Sequence, residues 1–445
     1  MPQRRGEPVV IAVLPLEDLS PNRSSDYFAD GLTDEIIRNL SVIDGLAVRS
    51  RTSSFAVKGK RQNMHELGNQ LAVNYILDGS VLRDGQYLRV STQLVRVRDD
   101  FPIWVGKFDR ELTDVFAIQD EIALGMVNSL RLKLGRGRRR YDTNLEVYDL
   151  YLRARSLPVQ RGGGVGAIAS IGLFEKVVAK DPAFAPAYAG LAASYAMRSN
   201  ARYVDHPADE LTRMRAVAEK AIQLDPLLAE AHDALGMVYA REGQWGQAEE
   251  SFRRAIELDA NRSTTYVHSA LWLLMVLGRT QEAVHQMRIA EKVDPLSVQV
   301  QRDLAFVLIS VGRYDEAAEH CQKISAQDRS AHQFLGRARL GQGRINEAIE
   351  LLTDDGNPGF LGYAYARSGR REEALKLATA SGENPFWQTL IYAGLGDRDH
   401  AFEALDRMAR LGPGRVGQYL TFPELAVLRG DPRLKALRKK VGLPE

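Results

Sequence analysis

The stretch AEAHDALGMVYAREGQWGQAEESFRRAIELDA, residues 229–260, decides the fold. Within it Leu235-Gly236 and Tyr239 are followed by Gly243, Ala248, Phe252 and Ala255, and the stretch closes on Leu258-Asp259. The same closing signal precedes it at Leu224-Asp225-Pro226 and follows it at Val293-Asp294-Pro295, so the aspartates lie 34 and 35 residues apart. A fixed period of this size marks a repeat array. Each unit reads as two helices. The first carries a Leu and a small residue that lets the second approach closely, a Gly closes it, and an Ala packs into the gap. Asp-Pro then stops the second helix, since Pro cannot continue it and restrains the residue before it. Gly243, Gly278, Gly312, Gly343, Gly369 and Gly396 are each followed five residues later by Ala248, Ala283, Ala317, Ala348, Ala374 and Ala401.

This pattern of an aromatic, Leu-Gly, Tyr, Ala, Phe, Ala and Pro resembles the tetratricopeptide repeat (TPR), most fully from Ala229 to Ala260. An earlier unit begins at Tyr188, Leu191 and Tyr195 and has extra residues before Asp225-Pro226. Seven helical hairpins are expected. The glycine spacings run 35, 34, 31, 26 and 27, so the later units are trimmed relative to the family norm.

With 445 residues, 45% hydrophobic and 26% charged, the chain has room for two or three domains and ample core. A formal net charge of +2 gives no global field favouring nucleic acid or a membrane surface. The single cysteine, Cys321, excludes an internal disulfide and makes no metal site alone. It stands where a repeat puts its second-helix aromatic, and reads as a buried small apolar residue. No apolar run reaches membrane-spanning length and no signal peptide is seen, so the chain as written reads as soluble and not exported by the general route.

The first domain is expected over 8–134. Val9 to Leu14 is a continuous apolar run ended by Pro15, the pattern of a strand covered on both faces. After a turn at Ser20-Pro21-Asn22, Phe28, Leu32, Ile36 and Leu40 recur every four residues as an amphipathic helix. Leu46 to Arg49 reads as a second strand, Arg51 to Lys60 as a polar stretch, and Met64 to Leu71 as a short helix. Two alternating runs, 74–81 and 87–94, flank Asp84-Gly85 and predict a β-hairpin. A strand near Ile103 to Phe108 and a helix from Leu112 to Leu130 complete an α/β (α+β) layered mixed sheet. The fold class is therefore multidomain: this layered domain, a basic linker at 135–144, an all-α TPR solenoid over 145–424, and a C-terminal capping segment at 425–445.

Several strings in the first domain resemble the TolB amino-terminal-like/FlgO-like domain: Ile11 to Pro15, Asp26 to Ile36, Arg51 to Phe55, Asp78 to Val81 and Phe116 to Ile122. The ending Leu425 to Leu443 is similar to the usual close of such chains. The resemblance implies this domain followed by TPR repeats, as in the carboxy-terminal regions of bacterial adenylate cyclase and winged-helix regulator proteins. Relatives place the pair after a membrane helix, a cyclase domain, a winged helix or a kinase, and this chain carries none of these. A stand-alone chain would be cytoplasmic, and the C-terminal part of a membrane-anchored regulator would be periplasmic.

Arg49, Arg51, Thr52, Ser53, Ser54 and Lys58 gather hydroxyls and cations just after a strand, an arrangement that can hold an anion. Helix and turn capping is the plainer account, because no Gly-rich loop with a Lys-Ser/Thr pair exists. Asp26, Asp30, Asp34 and Glu35 read as helix-start carboxylates and not as a metal site, since no His joins them. The eight histidines are dispersed, so no zinc site is expected, and no cofactor is implied. Neither a nucleophile elbow nor a paired-carboxylate signature occurs, and no catalytic residue is assigned. The basic run Arg131, Lys133, Arg136, Arg138, Arg139 and Arg140 lacks interleaved aromatics and reads as a linker, so no nucleic-acid partner is expected. Gly162-Gly163-Gly164 reads as a loop between helices.

The repeat array is the expected working surface. Positions that face a TPR groove are, by resemblance, Asp233, Met237 and Arg241, then His268, Trp272 and Met275, then Arg302, Phe306 and Ile309, then Gln333 and Arg337. An aromatic wall edged by Arg and His suits a protein or peptide partner, while Trp272 and Phe306 also suit packing between helices. The expected function is a non-enzymatic interaction or sensor module of a signalling system. The alternative is a small-molecule or nucleotide receptor at the α/β domain, and self-association through repeat faces is a third expectation.

Overall fold

A computed structural model of the chain describes residues 9–20, 26–59, 63–130, 141, 143–157, 165–199, 207–355, 357–382 and 384–444. The basic run at 131–140 and the glycines at 162–164 lie outside the described residues. The chain divides into two compact units. One holds Met1–Val238, Glu250–Thr265 and Val293–Leu296; the other holds Tyr239–Glu249, Tyr266–Lys292 and Ser297–Glu445.

The first unit opens with β1 (Val9–Val13), β2 (Glu17–Asp18), α1 (Asp26–Ser41), β3 (Leu46–Val48), α2 (Arg51–Phe55), α3 (Met64–Leu71), β4 (Tyr75–Asp84), β5 (Tyr87–Arg96), β6 (Phe101–Glu111) and α4 (Val115–Leu130). The strands form one mixed sheet in the order β3-β1-β4-β5-β6, with β2 beside β4. β1 lies parallel to both β3 and β4, while β4, β5 and β6 run antiparallel. Asp84 pairs with Tyr87, leaving Gly85-Gln86 as a two-residue turn with Gly85 at φ 58°. The alternation that predicts this hairpin therefore sets its register.

Alternation also decides the layers. Ala12 and Leu14 pack with Leu67, Leu71 and Val73 from the α3 side. On the other face α1 and α4 contact the strands and each other. Phe28, Leu32, Ile36 and Leu40 of α1 are buried, as are Val115, Ile118, Ile122 and Met126 of α4. The expected polar stretch after β3 differs from its reading: residues 51–55 form α2, because the Ser50 side chain accepts from Ser53 N–H and caps the turn.

Eight successive helix pairs follow among the described residues. They are α5 (Leu145–Ser156) with α6 (Val165–Lys180), α7 (Ala185–Ser199) with α8 (Pro207–Leu224), α9 (Ala229–Arg241) with α10 (Trp245–Leu258), and α11 (Ser263–His268) with α12 (Thr280–Val293). Then come α13 (Val298–Ser310) with α14 (Tyr314–Ile324), α15 (Ala331–Gly341) with α16 (Ile345–Asp355), α17 (Pro358–Arg367) with α18 (Arg371–Ala380), and α19 (Pro385–Leu395) with α20 (Arg398–Arg407). The chain ends in α21 (Gly412–Leu420), a 3₁₀ stretch Pro423–Leu428 and α22 (Pro432–Lys440). The fold is a mixed-sheet region followed by a helical TPR-like solenoid.

Sequence spacing explains the pairs. All six turn glycines have φ between 74° and 84°, and all six alanines five residues on are 0% exposed. Within α9, a Cβ on Gly236 would lie 2.7 Å from the Phe252 ring of α10, so the ring occupies the space the missing side chain leaves. Truncating a buried Phe of this kind costs about 3–5 kcal/mol. The pair beyond the seven expected is α5 with α6. Tyr148 and Tyr151 of α5 are buried, and α5 packs along α1, where a Cβ on Gly31 would lie 2.9 Å from Leu152 Cβ. Its aromatic face therefore finishes the α/β core.

Candidate functional site

Two regions carry candidate residues, and each is set by its own unit. In the first unit the segment after β3 turns its polar groups inward. Arg49 is buried, its Nε donating to Leu71 O at 2.7 Å and Nη2 to Ala72 O at 2.6 Å. Burial holds that guanidinium below its usual range. Arg51 donates to Ser156 O at 3.4 Å and lies 4.4 Å from the Phe55 ring centre. Lys58 donates to Asp30 at 2.5 Å. Ser53 Oγ donates to Asp294 Oδ1 at 2.5 Å and accepts from Leu296 N–H at 2.9 Å. Thr52 is exposed, and Ser54 Oγ is buried with no partner among the described residues. Three cations and one hydroxyl of the six are thus engaged within the chain.

The groups that engage Ser53 belong to a closing turn of the repeats. Asp294, of the Asp294-Pro295 signal, also accepts from Ser263 at 3.1 Å, and burial pushes its carboxyl up against these hydrogen bonds. Asn261 donates to Ser41 O at 3.1 Å and Leu46 O at 3.3 Å, and accepts from Val48 N–H at 3.2 Å. Tyr141 OH donates to Asp225. Two successive closing turns, at Asp259 and Asp294, therefore lie beside the α/β layer inside one unit, and the turn before them bonds Tyr141. Asn261 had a signal in the sequence: Asp259 is followed by Ala260, not Pro, departing from the pattern at 225 and 294.

An ion-pair network adjoins these contacts. Arg155 bonds Asp34 at 2.6 Å and Glu230 at 3.0 Å, and Arg262 bonds Glu230 at 2.8 Å. Glu35 pairs with Arg38 at 2.9 Å and accepts from Tyr151 at 2.8 Å. Burial alone would raise the Glu230 carboxyl, but Arg155, Arg38 and Arg262 outweigh it and hold the group well below the usual carboxylate range. Asp34 and Glu35 sit in mid-helix. They serve as buried ion-pair partners and not as helix-start charges. Nothing in the sequence flags Arg155 or Glu230. Among the described residues no group of His, Cys, Asp and Glu could hold a metal ion.

The second candidate region is the first-helix wall of the second unit. Trp272 stands in a π-helical turn, Ser269–Leu274, that continues α11 and whose wider bond runs from Met275 N–H to Ala270 O at 2.9 Å. Trp272, Met275, Phe306, Ile309 and Arg337 are buried, while Arg241, His268, Arg302 and Gln333 are half-buried. Arg302 pairs with Asp328 at 2.7 Å, and Arg241 lies 4.9 Å over Trp272. Asp233 and Met237 are buried in the first unit.

What covers this wall is the chain's own segment 412–428. Gly417 of α21 lies against α11's continuation, where a Cβ would come 2.6 Å from Val276 Cγ1 and 2.7 Å from Val276 O. Beside it Gln418 Nε2 donates to Leu271 O at 3.4 Å, and Arg415 lies 5.7 Å from the Trp272 ring centre. Tyr419 stacks on Phe386 at 4.1 Å. Phe422 then enters a cage of Phe306, Phe360 and Phe386 at 5.5, 6.2 and 5.8 Å. Glu424 completes the contact with two bonds to Arg337, at 2.7 and 3.0 Å, and Arg337 lies 4.3 Å over the Phe422 ring. Phe306 and Arg337 were legible as wall residues by their place in the repeat. Phe422 and Glu424 were not, because nothing local in the capping segment says where it folds back.

No helix among the described residues is long and apolar enough to cross a membrane. Comparison with known proteins follows the two halves. Residues 7–124 match the family model of the HilA/YgeH-like transcriptional regulator, second domain, and residues 229–262 match the tetratricopeptide repeat. The model matched over the first domain is thus one of a transcriptional-regulator domain. The chain is 34% identical over 244 residues to putative adenylate cyclase 3 of Rhizobium meliloti (strain 1021), covering 54% of this chain and 41% of that protein. It therefore spans less than half the length of that curated relative. Among solved structures it is similar to YrrB, a TPR protein with an unusual peptide-binding site, at 19% identity, with 46% of this chain and 96% of that one covered and a TM-score of 0.31. It is also similar to pilF of Pseudomonas aeruginosa, at 20% identity, 54% and 96% coverage and a TM-score of 0.35.

Proposed function

We propose that this chain is a non-enzymatic interaction and sensing module of a bacterial signalling system, whose repeats take up a protein or peptide segment along the first-helix wall. One observation supports the reading. Trp272, Phe306 and Arg337 already lie against polypeptide, using ring contacts and a buried Arg–carboxylate pair. Those are the interactions by which grooves recognise peptide segments, with apolar anchors for affinity and a fixed charge pair for register. The partner-facing set is the wall of the second unit from Arg241 to Arg337, with Arg241, His268, Arg302 and Gln333 as its half-buried polar edge.

Likeness to a putative adenylate cyclase favours a second reading in which the module regulates an attached cyclase or transcriptional regulator. In that reading a small molecule or nucleotide binds the α/β half near Arg51, Ser53, Ser54 and Lys58. The internal bonds of Arg51, Ser53 and Lys58 lend it less support.

Affinity capture from lysate of the source cell separates the two. A protein retained by the intact chain and lost by Trp272→Ala/Arg302→Ala is the expected outcome. Equal retention by both chains would remove the wall from the proposal, and loss of nucleotide binding on Arg51→Ala/Lys58→Ala would favour the receptor.

A further inference from the structure

The segment 412–428 owes its order to the wall. α21 has nine residues, three of them Gly412, Gly414 and Gly417 and one Pro413, a composition that does not sustain a helix unaided. The rest of the segment, Pro423–Leu428, is 3₁₀ and not α-helical. Yet Phe422 and Glu424 are as buried as core residues. The two anchors stand two residues apart with Pro423 between them, so a three-residue stretch delivers one aromatic ring and one carboxylate. Together they find a receptor built by several repeats. α13, α17 and α19 supply the rings around Phe422, and α15 supplies Arg337 for Glu424.

From this we infer that 412–428 is a resident ligand of the wall, and that a partner protein segment carrying an aromatic residue followed two residues later by a carboxylate binds there by replacing it. The inference rests on the proposed interaction function and names the chemistry of its partner. Replacement, not simple departure, follows from what would be uncovered. Phe306, Phe360 and Phe386 would form a contiguous apolar patch, and Arg337 would lose its only carboxylate at salt-bridge distance among the described residues. An occupant of the same chemistry restores both. Fit at Gly417 adds a further requirement, because its backbone lies within van der Waals contact of Val276 and leaves no room for a side chain there. A partner must carry Gly five residues before its aromatic, or bind without that contact.

The test uses the full chain and a fluorescein-labelled peptide of residues 412–428. In the full chain carrying Phe422→Ala/Glu424→Ala, the peptide binds at least tenfold more tightly than in the unaltered chain, read by anisotropy. A peptide with the same two alanines loses that binding, and adding Arg337→Ala to the receiving chain weakens it at least tenfold. Equal binding, or none, in a variant that keeps its helical circular dichroism overturns the inference. Should the variant not fold, hydrogen exchange on the unaltered chain decides. Amides of 414–426 exchanging at least tenfold faster than those of α13 and α15 support a displaceable segment, and equal rates overturn it. Light scattering that shows the unaltered chain pairing through this segment makes the occupant a second copy, and the inference falls. Failure in any of these arms leaves partner capture itself intact, so the two proposals fail separately.

Discussion

Ser53 Oγ donates to Asp294 Oδ1 at 2.5 Å across 241 residues of sequence, and both groups are buried. The same hydroxyl accepts from Leu296 N–H, so one side chain ties the α2 turn to a closing turn of the repeats. Ser53→Ala leaves a buried carboxylate oxygen and a half-buried N–H each short of a partner. The expected cost is about 1–3 kcal/mol, within the range for an unmade buried hydrogen bond. Urea unfolding followed by circular dichroism reads it as a lower midpoint, and Ser53→Thr, which restores the hydroxyl, should recover part of the loss.

Asn261 makes a sharper version of the same point. Its side chain satisfies two carbonyls and one N–H at the end of α1 and along β3. Asn261→Ala forfeits all three, and Asn261→Asp keeps the acceptor while placing a carboxylate against the Ser41 and Leu46 oxygens. The Asp variant should therefore be no more stable than the Ala variant. A clearly more stable Asp variant would mean that the two carbonyl contacts contribute nothing.

Glu230 predicts how stability depends on pH. Its carboxyl is held below its ordinary value of 4.5 in the folded chain by Arg155, Arg38 and Arg262, against the upward push of burial. A depressed folded pKa contributes stability that is fully present above the unfolded value and is lost as pH falls below about 4.5 toward the folded value. The unaltered chain should lose stability steadily between pH 5 and pH 3, and Glu230→Gln should lose less over that interval. At neutral pH Glu230→Ala takes one carboxylate from Arg155, which keeps Asp34, and one from Arg262, which keeps Asp233 at 3.8 Å, and is expected to cost about 1–3 kcal/mol. Unfolding midpoints at pH 7, 5 and 3.5 measure both effects.

Cys321 was legible as a buried residue from its place in the second helix of its repeat. Burial pushes its thiol up to about 12, and it is fully enclosed. A thiol reagent at pH 8 should label the native chain no faster than the chain unfolds, with complete labelling in denaturant. Rapid native labelling would show that the fourteenth helix opens locally.

Local rules made the repeats and the hairpin readable. The Gly-x4-Ala template needs only that a turn demand positive φ and that two helices approach closely, and both demands act within one unit of sequence. Contacts at long separation were another matter. Ser53 reads most plainly as a turn cap and less so as an anion ligand, and neither reading finds Asp294, which no neighbouring residue announces. Asp34 looks like a helix-start charge until Arg155 is placed beside it. Phe422 and Glu424 gave no periodic signal because 3₁₀ and short glycine-rich helices have none. What escaped the sequence was therefore pairing between polar groups distant along the chain, together with the fold-back of a segment lacking a period of its own.

Two glycines distinguish the demands that the repeat template merges. Gly312 has φ 80° and nothing within 4 Å of an added Cβ, so Gly312→Ala is strained only through its backbone. That conformation costs an L residue about 1–2 kcal/mol. Gly236 has no positive φ to maintain, but a Cβ there would lie 2.7 Å from two carbons of the Phe252 ring. Gly236→Ala gains helix propensity of about 1 kcal/mol and pays overpacking of about 1–3 kcal/mol, so the net loss depends on the ring. Shrinking that ring should then help: Gly236→Ala/Phe252→Leu is expected to be more stable than the sum of the single changes predicts. Gly312→Ala should instead be indifferent to substitutions around it, and a double-mutant cycle in urea measures the contrast. Additivity at Gly236 would mean that the second helix shifts to accommodate a methyl group, and that the small residue of the repeat serves propensity and not approach.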